Sequence, residues 1–92
     1  MENEEQKRDR LRAQLDDTHS WPCSFSFKFI LPSRPESVTQ LKACFSDSAE
    51  FSERPSRNGN YIAFTVVEIV GSAENVFERY EAAAKIKGIL SL

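Results

Sequence analysis

The feature that most constrains this chain is the segment 23–31, in which apolar and polar residues alternate almost without exception. One set of alternate positions is apolar: Cys23, Phe25, Phe27, Phe29 and Leu31. The other set holds Ser24, Ser26 and Lys28, with Ile30 as the single exception. Successive side chains of a strand point to opposite faces, so this period of two predicts a half-buried β-strand whose aromatic face lies on the core.

Two amphipathic helices are predicted, one before and one after the two middle strands in the chain. The first runs from about Pro35 to Ser46, with Ser33 as its N-cap and Glu36 completing a capping box. Its apolar stripe consists of Val38, Leu41 and Phe45, with Cys44 beside it. The second runs from about Ala73 to Lys85 after a cap at Ser72. Its stripe consists of Val76, Tyr80 and Ala83.

Three further strands are predicted. Residues 51–57 form a weak strand, and Pro55 within it indicates an edge position. Asn58 and Gly59 then predict a hairpin turn with positive φ at both residues. Residues 61–70 form the longest strand, apolar on both faces, which is typical of a central strand. Residues 86–92 are predicted to form a last short strand.

The order strand, helix, strand, strand, helix, strand predicts an α+β fold of the ferredoxin-like βαββαβ type. Such a two-layer sandwich has a four-stranded antiparallel sheet with two helices on one face. Right-handed crossovers place the first and third strands at its centre. The residues therefore specify a fold class more clearly than any chemistry.

The net charge of −2 lies entirely in a leader, residues 1–20, which precedes the predicted domain, residues 21–92. The leader has four basic and six acidic side chains, whereas the domain has eight of each. Leu11 and Leu15 are its only large apolar residues after Met1, and they can form one short helical stripe. We predict a frayed segment or a marginal helix that docks weakly, and a partner-binding arm is the alternative.

Composition excludes several classes of protein. The balanced charge lacks the basic excess of a nucleic-acid binder, and no run of about 18 apolar residues is present to span a membrane. The N-terminus is too charged for a signal peptide, so we expect a cytoplasmic protein with both cysteines reduced. Two cysteines and one histidine are too few for a zinc site of four such ligands. We expect no metal and no cofactor, small core roles for Cys23 and Cys44, and a surface role for His19.

The chain from about residue 21 to residue 92 resembles the YbeD-like family of small bacterial proteins of unknown function. The resemblance rests on Trp21-Pro22 before the Phe-rich strand, on the run Pro55-Ser-Arg-Asn-Gly-Asn-Tyr61, and on a helix with Val76 and Tyr80. It implies a ferredoxin-like fold similar to that of ACT domains, which are small-molecule regulatory modules. ACT domains bind an amino acid beside a glycine where the first strand meets the first helix. Residues 31–35 contain no glycine, so we expect no backbone-cradled amino acid there.

Two polar groups are candidates for binding. Ser33 and Arg34 lie at the predicted start of the first helix, where free amides and the helix dipole can hold an anion. The hairpin contributes a second group that could bind a phosphate or an acidic partner. This second group consists of Arg54, Ser56, Arg57 and Asn58. The simpler interpretations, which we favour, are a plain helix cap and a turn whose charges protect an edge strand.

The outward face of the longest strand is the third candidate. It carries Tyr61, Ala63, Thr65, Val67 and Ile69, if the alternate residues face the helices. Such a stripe should not stay in water, so a second copy or the leader is expected to cover it. The alternation of side chains along the strand places Glu68 on the core side. Either the strand bulges near Glu68, or the carboxylate reaches water at the margin of the core.

The sequence thus favours a non-catalytic regulatory or protein-interaction module that forms a homo-oligomer through its outer sheet face. Its protein partner or small-molecule effector is not identifiable. A single-stranded RNA binder similar to an RRM domain is the alternative, because residues 59–64 resemble the RNP1 pattern loosely. The first-strand phenylalanines all have core parity, however, which argues against nucleic acid. An acylphosphatase-like enzyme is not expected, since the loop 32–35 offers Arg34 but no glycine-rich phosphate cradle.

Overall fold

The computed structural model describes residues 1–92, which form three helices and four strands. In chain order these are α1 (Glu4–Thr18), β1 (Cys23–Pro32), α2 (Pro35–Ala43), β2 (Glu50–Pro55), β3 (Tyr61–Val70), α3 (Ala73–Ala83) and β4 (Leu90–Ser91). The βαββαβ order after α1 confirms the predicted ferredoxin-like fold. No helix is both long enough and apolar enough to cross a membrane.

The sheet has the order β2-β3-β1-β4, and every neighbouring pair is antiparallel. β1 and β3 are central, as predicted. Their register is unbroken from Cys23 opposite Val70 to Pro32 opposite Tyr61. β2 is an edge strand, which suits Pro55 because an edge residue needs no amide partner on its outer side.

The core lies between one face of the sheet and the two helices α2 and α3. Phe27, Phe29 and Leu31 of β1 are fully buried, as the alternating pattern predicted. The other strand residues in the core come from β3, and the helices contribute Leu41, Val76 and Ala83. The rings of Phe27 and Phe29 contact those of Phe45 and Tyr80 at centroid distances of 5.1–6.2 Å. Edge and tilted contacts of this kind add to the burial of apolar area.

The predicted cap of α2 is wrong. Arg34 is the N-cap residue, and no side chain caps this helix. The backbone N–H of Ser33 donates instead to the carbonyl of Asn60 at 3.0 Å. This bond keeps Ser33 beside the hairpin, and the helix begins at Pro35 as predicted, although Ser33 is not its cap. The helix ends earlier than predicted, at Ala43, although Phe45 beyond it remains buried in the core.

The hairpin turn differs from the predicted type. Gly59 has a φ of 77°, but no residue other than glycine has a positive φ, so Asn58 does not adopt the left-handed conformation. The amide of Gly59 donates to the carbonyl of Ser56 at 3.0 Å, and the amide of Ser56 donates to the carbonyl of Tyr61 at 2.8 Å. The connection is therefore a four-residue loop, which needs only one residue with positive φ.

The last strand is shorter than predicted. Only Leu90 and Ser91 pair with β1, whereas residues 84–89 form turns that bury Ile86. Gly88 within this segment has a φ of 81°. A Cβ atom on Gly88 would lie 2.9 Å from Cγ of Pro32. The chain turns tightly here because it must pass over the end of β1.

The leader forms a regular helix rather than a frayed segment. Asn3 and Gln6 make a reciprocal capping box at the start of α1. No residue of α1 is buried, and α3 is the element against which it packs. Capping and charged contacts, rather than core burial, therefore define this helix.

The two glycines with positive φ provide a test of the turn geometry. Gly59→Ala should lower the free energy of unfolding by about 1 kcal/mol, because an L-residue is strained at positive φ. Gly88→Ala should cost more, since its methyl group must also displace the Pro32 ring. Urea unfolding of both variants measures the difference, and an equal loss of stability would contradict the close approach of Gly88 to Pro32.

Candidate functional site

The outer face of the sheet is the side opposite α2 and α3. The register places Tyr61, Ala63, Thr65, Val67 and Ile69 of β3 along its middle. On either side, paired residues of β1 and β2 share this face: Ser24, Ser26, Lys28, Ile30, Glu50, Ser52 and Arg54. These positions are exposed or half-buried, whereas their alternate neighbours on β3 contribute Phe64, Val66 and Val70 to the core.

Large apolar side chains are exposed on this outer face. Tyr61 is 48% exposed, Ile69 73%, Leu90 59% and Leu92 69%. Leu90 pairs with Ile30, and Leu92 lines a shallow depression with Lys28 and Thr65. The other exposed large apolar residues of the chain, Met1 and Leu11, belong to the leader. All such residues of the body, residues 21–92, thus share one surface.

Charge on the outer face is sparse and ordered. Glu50 lies opposite Val67 and Arg54 opposite Ala63, so they flank the Ser52–Thr65 row at equal distance along β2. Lys28 lies on that same row, opposite Thr65 on the other side of β3. Tyr61 is the only aromatic side chain on the outer face. The charged side chains of this face therefore lie on or beside its central row, while Ile69 and Tyr61 lie at the two ends of β3.

The structure places the first predicted polar group, Ser33 and Arg34, in a cleft. A surface cleft of about 410 Å³ lies between the start of α2 and the hairpin. It is lined by Pro32, Ser33, Arg34, Gly59, Asn60 and Tyr61. Both Ser33 and Arg34 are exposed, and Arg34 is the only charged side chain in this lining. Anion binding in this cleft stays a prediction.

None of the four predicted hairpin residues lines that cleft. The hydroxyl of Ser56 donates to Oδ1 of Asn58 at 3.0 Å, and the same hydroxyl oxygen accepts from the amide of Tyr61. These two side chains therefore stabilise the turn itself. Arg54 lies on the outer face, while Arg57 is exposed in the turn.

Glu68 forms an ion pair in which its carboxylate is buried and the Arg79 side chain is half-buried, and sequence reasoning missed it. The strand does not bulge, and Glu68 is 3% exposed, so both interpretations from the sequence are wrong. Arg79 of α3 donates to both carboxylate oxygens, at 2.8 and 3.1 Å. The amide and hydroxyl of Ser46 donate to Oε2 at 2.9 and 2.7 Å. Arg79 also donates to the carbonyl of Cys44 at 3.0 Å.

These contacts decide the protonation state of Glu68. Burial raises its pKa, but the hydrogen bonds from Ser46 and Arg79 and the charge of Arg79 outweigh burial and lower the pKa overall. The carboxylate is thus charged and fully bonded at neutral pH. A signal was present in the sequence, since a core-facing carboxylate requires a cation, and Arg79 lies three residues after the buried Val76.

The remaining candidates, Cys23, Cys44 and His19, are all half-buried. Cys23 and Cys44 are free thiols and half-buried, and burial raises the pKa of Cys44 although Arg79 and Lys85 oppose it. His19 is half-buried rather than a plain surface residue, because it stacks on Trp21 at a centroid distance of 5.3 Å and approaches Phe25. No group of three His, Cys, Asp or Glu residues is placed to hold a metal ion.

Comparison with known proteins gives one match. The family model described as "Protein of unknown function (DUF493)" matches residues 16–91. The family includes YbeD, so the resemblance to a family of unknown function is confirmed. The match begins within α1, and most of that helix precedes it. No curated protein and no solved structure matches the chain.

Removing one partner of the Glu68 ion pair should be strongly destabilising. We expect Arg79→Met to lower the free energy of unfolding by about 3–5 kcal/mol, because it leaves a buried carboxylate without its cation. The double variant Glu68→Leu with Arg79→Met should lose less, since no charge remains buried. Urea unfolding of the wild type, of both variants and of Glu68→Leu alone measures the coupling. Additive losses would contradict a direct ion pair.

Stability should fall in acid because of the same residue. A carboxyl whose pKa is lowered on folding stabilises the fold above its ordinary value, here 4.5, and this contribution disappears as pH falls through the folded-state pKa. The difference in unfolding free energy between wild type and Glu68→Gln should therefore be largest near neutrality. It should narrow as the pH falls below this ordinary value and through the lowered pKa of the folded state. A difference that is constant with pH would show that Glu68 does not titrate with folding.

Proposed function

Since this chain belongs to the DUF493 family, whose function is unknown, we propose its function from its own surfaces: it is a non-catalytic interaction module that self-associates through the outer face of its sheet. The supporting observation is the concentration of exposed apolar side chains there. Every exposed large apolar residue of the body lies on that face. Single exposed apolar residues are ordinary on a protein surface, but their concentration on one face favours an interface.

A second copy is the occupant that suits the arrangement of charges. Consider two copies packed face to face, with a two-fold axis between the sheets that runs across the strands along the Ser52–Thr65 row. This axis would place Glu50 of one copy opposite Arg54 of the other. The same operation would place Ile69 opposite Tyr61. A two-fold interface requires such self-complementarity, because each contact occurs twice with the roles exchanged. Two sheets packed in this way resemble the layers of a β-sandwich.

Lys28 is the one residue that this arrangement does not favour. It lies on the axis row and would approach the same residue of the second copy. Its aliphatic stem can pack along Thr65 and Ile30 while the ammonium group reaches the rim. The repulsion limits the affinity without preventing association, so we expect a dimer at micromolar rather than nanomolar concentration.

A regulatory role is part of the proposal through the resemblance to ACT domains. The cleft beside Arg34 is polar and open, which suits a small anionic effector better than a cradled amino acid. We place the module in the cytoplasm, where free thiols such as Cys23 and Cys44 persist.

The RNA-binding alternative has less support. RRM domains stack two or three bases on aromatic rings of the sheet face. Tyr61 is the only such ring here, and the β1 residues on that face include Ser24 and Ser26. RNA binding therefore stays an alternative without an observation that favours it.

A charged residue at the exposed end of the outer face should disrupt self-association. We expect the wild type to be a dimer at about 50 μM and Ile69→Lys to be a monomer, because the variant buries an unpaired charge. Sedimentation equilibrium measures the mass. Thr39→Lys, which adds the same charge on the exposed side of α2, is the matched control and should remain dimeric.

The register of the dimer can be examined by exchanging charges. Glu50→Arg and Arg54→Glu should each weaken the dimer, because like charges then face each other across the axis. The double variant with both exchanges should recover the wild-type dissociation constant. A monomeric wild type at every concentration would overturn the proposal. Failure of the double variant to recover would overturn only the two-fold geometry.

A further inference from the structure

An apolar groove separates α1 from the body of the protein. Its volume is about 710 Å³, which is large enough for several side chains of a bound partner. The body side of the groove carries Phe25, Val76, Phe77 and Tyr80. The α1 side carries Leu11, Gln14, Leu15 and Thr18. This surface lies on the helical side of the fold and is separate from the outer face of the sheet.

The α1 helix leaves this groove unfilled. Its groove-facing residues recur at helical spacing, but Gln14 and Thr18 are polar and two of the four positions thus add no apolar side chain. No residue of α1 is buried. An amphipathic helix normally buries a continuous apolar stripe. Leu11 and Leu15 alone provide only part of such a stripe.

Charged contacts at the rim hold α1 in place. Arg8 pairs with Glu74 at 3.1 Å and also with Glu81, while Arg12 pairs with Glu74. The guanidinium of Arg8 lies 4.7 Å from the centroid of the Phe77 ring. The arginine and glutamate side chains are all at least one-third exposed. Water and salt weaken such pairs, so each contributes little to holding the helix.

The rim on the body side is acidic. Glu74 and Glu81 flank Phe77 on the face of α3 that meets α1. An apolar floor between two carboxylates suits a helix that presents apolar residues along its centre and cations at its edge. The two arginines of α1 already show where such cations lie.

We propose that this groove is the docking site for a basic amphipathic helix of another protein, and that α1 occupies the site within the same chain. The partner helix carries cations at the positions of Arg8 and Arg12 and apolar side chains at all four groove-facing positions. It displaces α1 because it fills the space beside Phe25 and Tyr80 that α1 leaves open. The short link of residues 19–22 keeps α1 at high local concentration, so only a better-fitting helix displaces it.

The test uses synthetic helices made from the α1 sequence, residues 3–19. Both peptides carry Thr18→Leu, and both have one further leucine. The test peptide has Gln14→Leu, which faces the groove, whereas the control peptide has Ala13→Leu, which lies on the opposite side of the helix. The leucine that enters the groove should tighten binding at least tenfold, as expected for burial of about one large apolar side chain.

The fluorescein-labelled peptides are titrated into the full chain carrying Arg8→Glu and Arg12→Glu, in which α1 meets Glu74 and Glu81 with like charge. Fluorescence anisotropy should show saturable binding of the test peptide. Binding to this same variant chain should be lost when the test peptide itself also carries Arg8→Glu and Arg12→Glu. In the wild-type chain, the test peptide should bind more weakly, and it should speed hydrogen exchange of the α1 amides.

Several results would overturn the proposal. Equal affinities of the two leucine peptides would show that the groove does not receive the helix. An affinity that does not change when the charges of the two peptide arginines are reversed would show that the acidic rim does not contribute to binding. A doubled mass of the wild-type chain that disappears in the Arg8→Glu and Arg12→Glu variant would identify α1 of a second copy as the occupant. Saturable binding of an apolar dye, with no binding of either peptide, would identify a small molecule as the occupant of the groove.

Discussion

The ion pair between Glu68 and Arg79 connects three parts of the fold that are distant in the chain. Glu68 lies on β3, Arg79 on α3, and Ser46 follows the end of α2. A carboxylate in the core is tolerated only when its charge and lone pairs are satisfied, and four hydrogen bonds from these elements satisfy it. The pair therefore fixes α3 over β3 and the α2 end beside it.

The two open surfaces of the molecule have different chemistry. The outer face combines exposed Ile69 and Tyr61 with charges that are symmetric about one row, as suits a second copy of the same chain. The groove beside α3 combines an apolar floor with Glu74 and Glu81, as suits a basic helix. The helix α1 covers the second surface only in part, because its groove-facing stripe is half polar. Association with a copy and association with another protein can thus use separate faces.

Much of the fold was predictable because it depends on periodic patterns. The alternation in 23–31 and the length of 61–70 specified both central strands, and Ser72 caps α3 as predicted. Predictions failed where a backbone group had a tertiary partner. The amide of Ser33 bonds to Asn60, so Ser33 does not cap α2, and the turn of 56–61 needs positive φ only at Gly59. The last strand is short because residues 84–89 turn around Pro32, a contact that no local pattern indicates.

The sequence by itself determined the fold class, the core face of β1 and the residues on the outer face, because side-chain periodicity follows directly from backbone geometry. Only the tertiary structure decided that Glu68 forms an ion pair with Arg79. Arg79 lies on another element, and the alternation of side chains along a strand says nothing about partners that are distant in the chain. The structure also decided that Arg34 shares a cleft with Gly59 while Arg54 does not. It decided that the leader is a helix above an apolar groove, because two leucines do not predict ion pairs with a helix that follows much later in the chain.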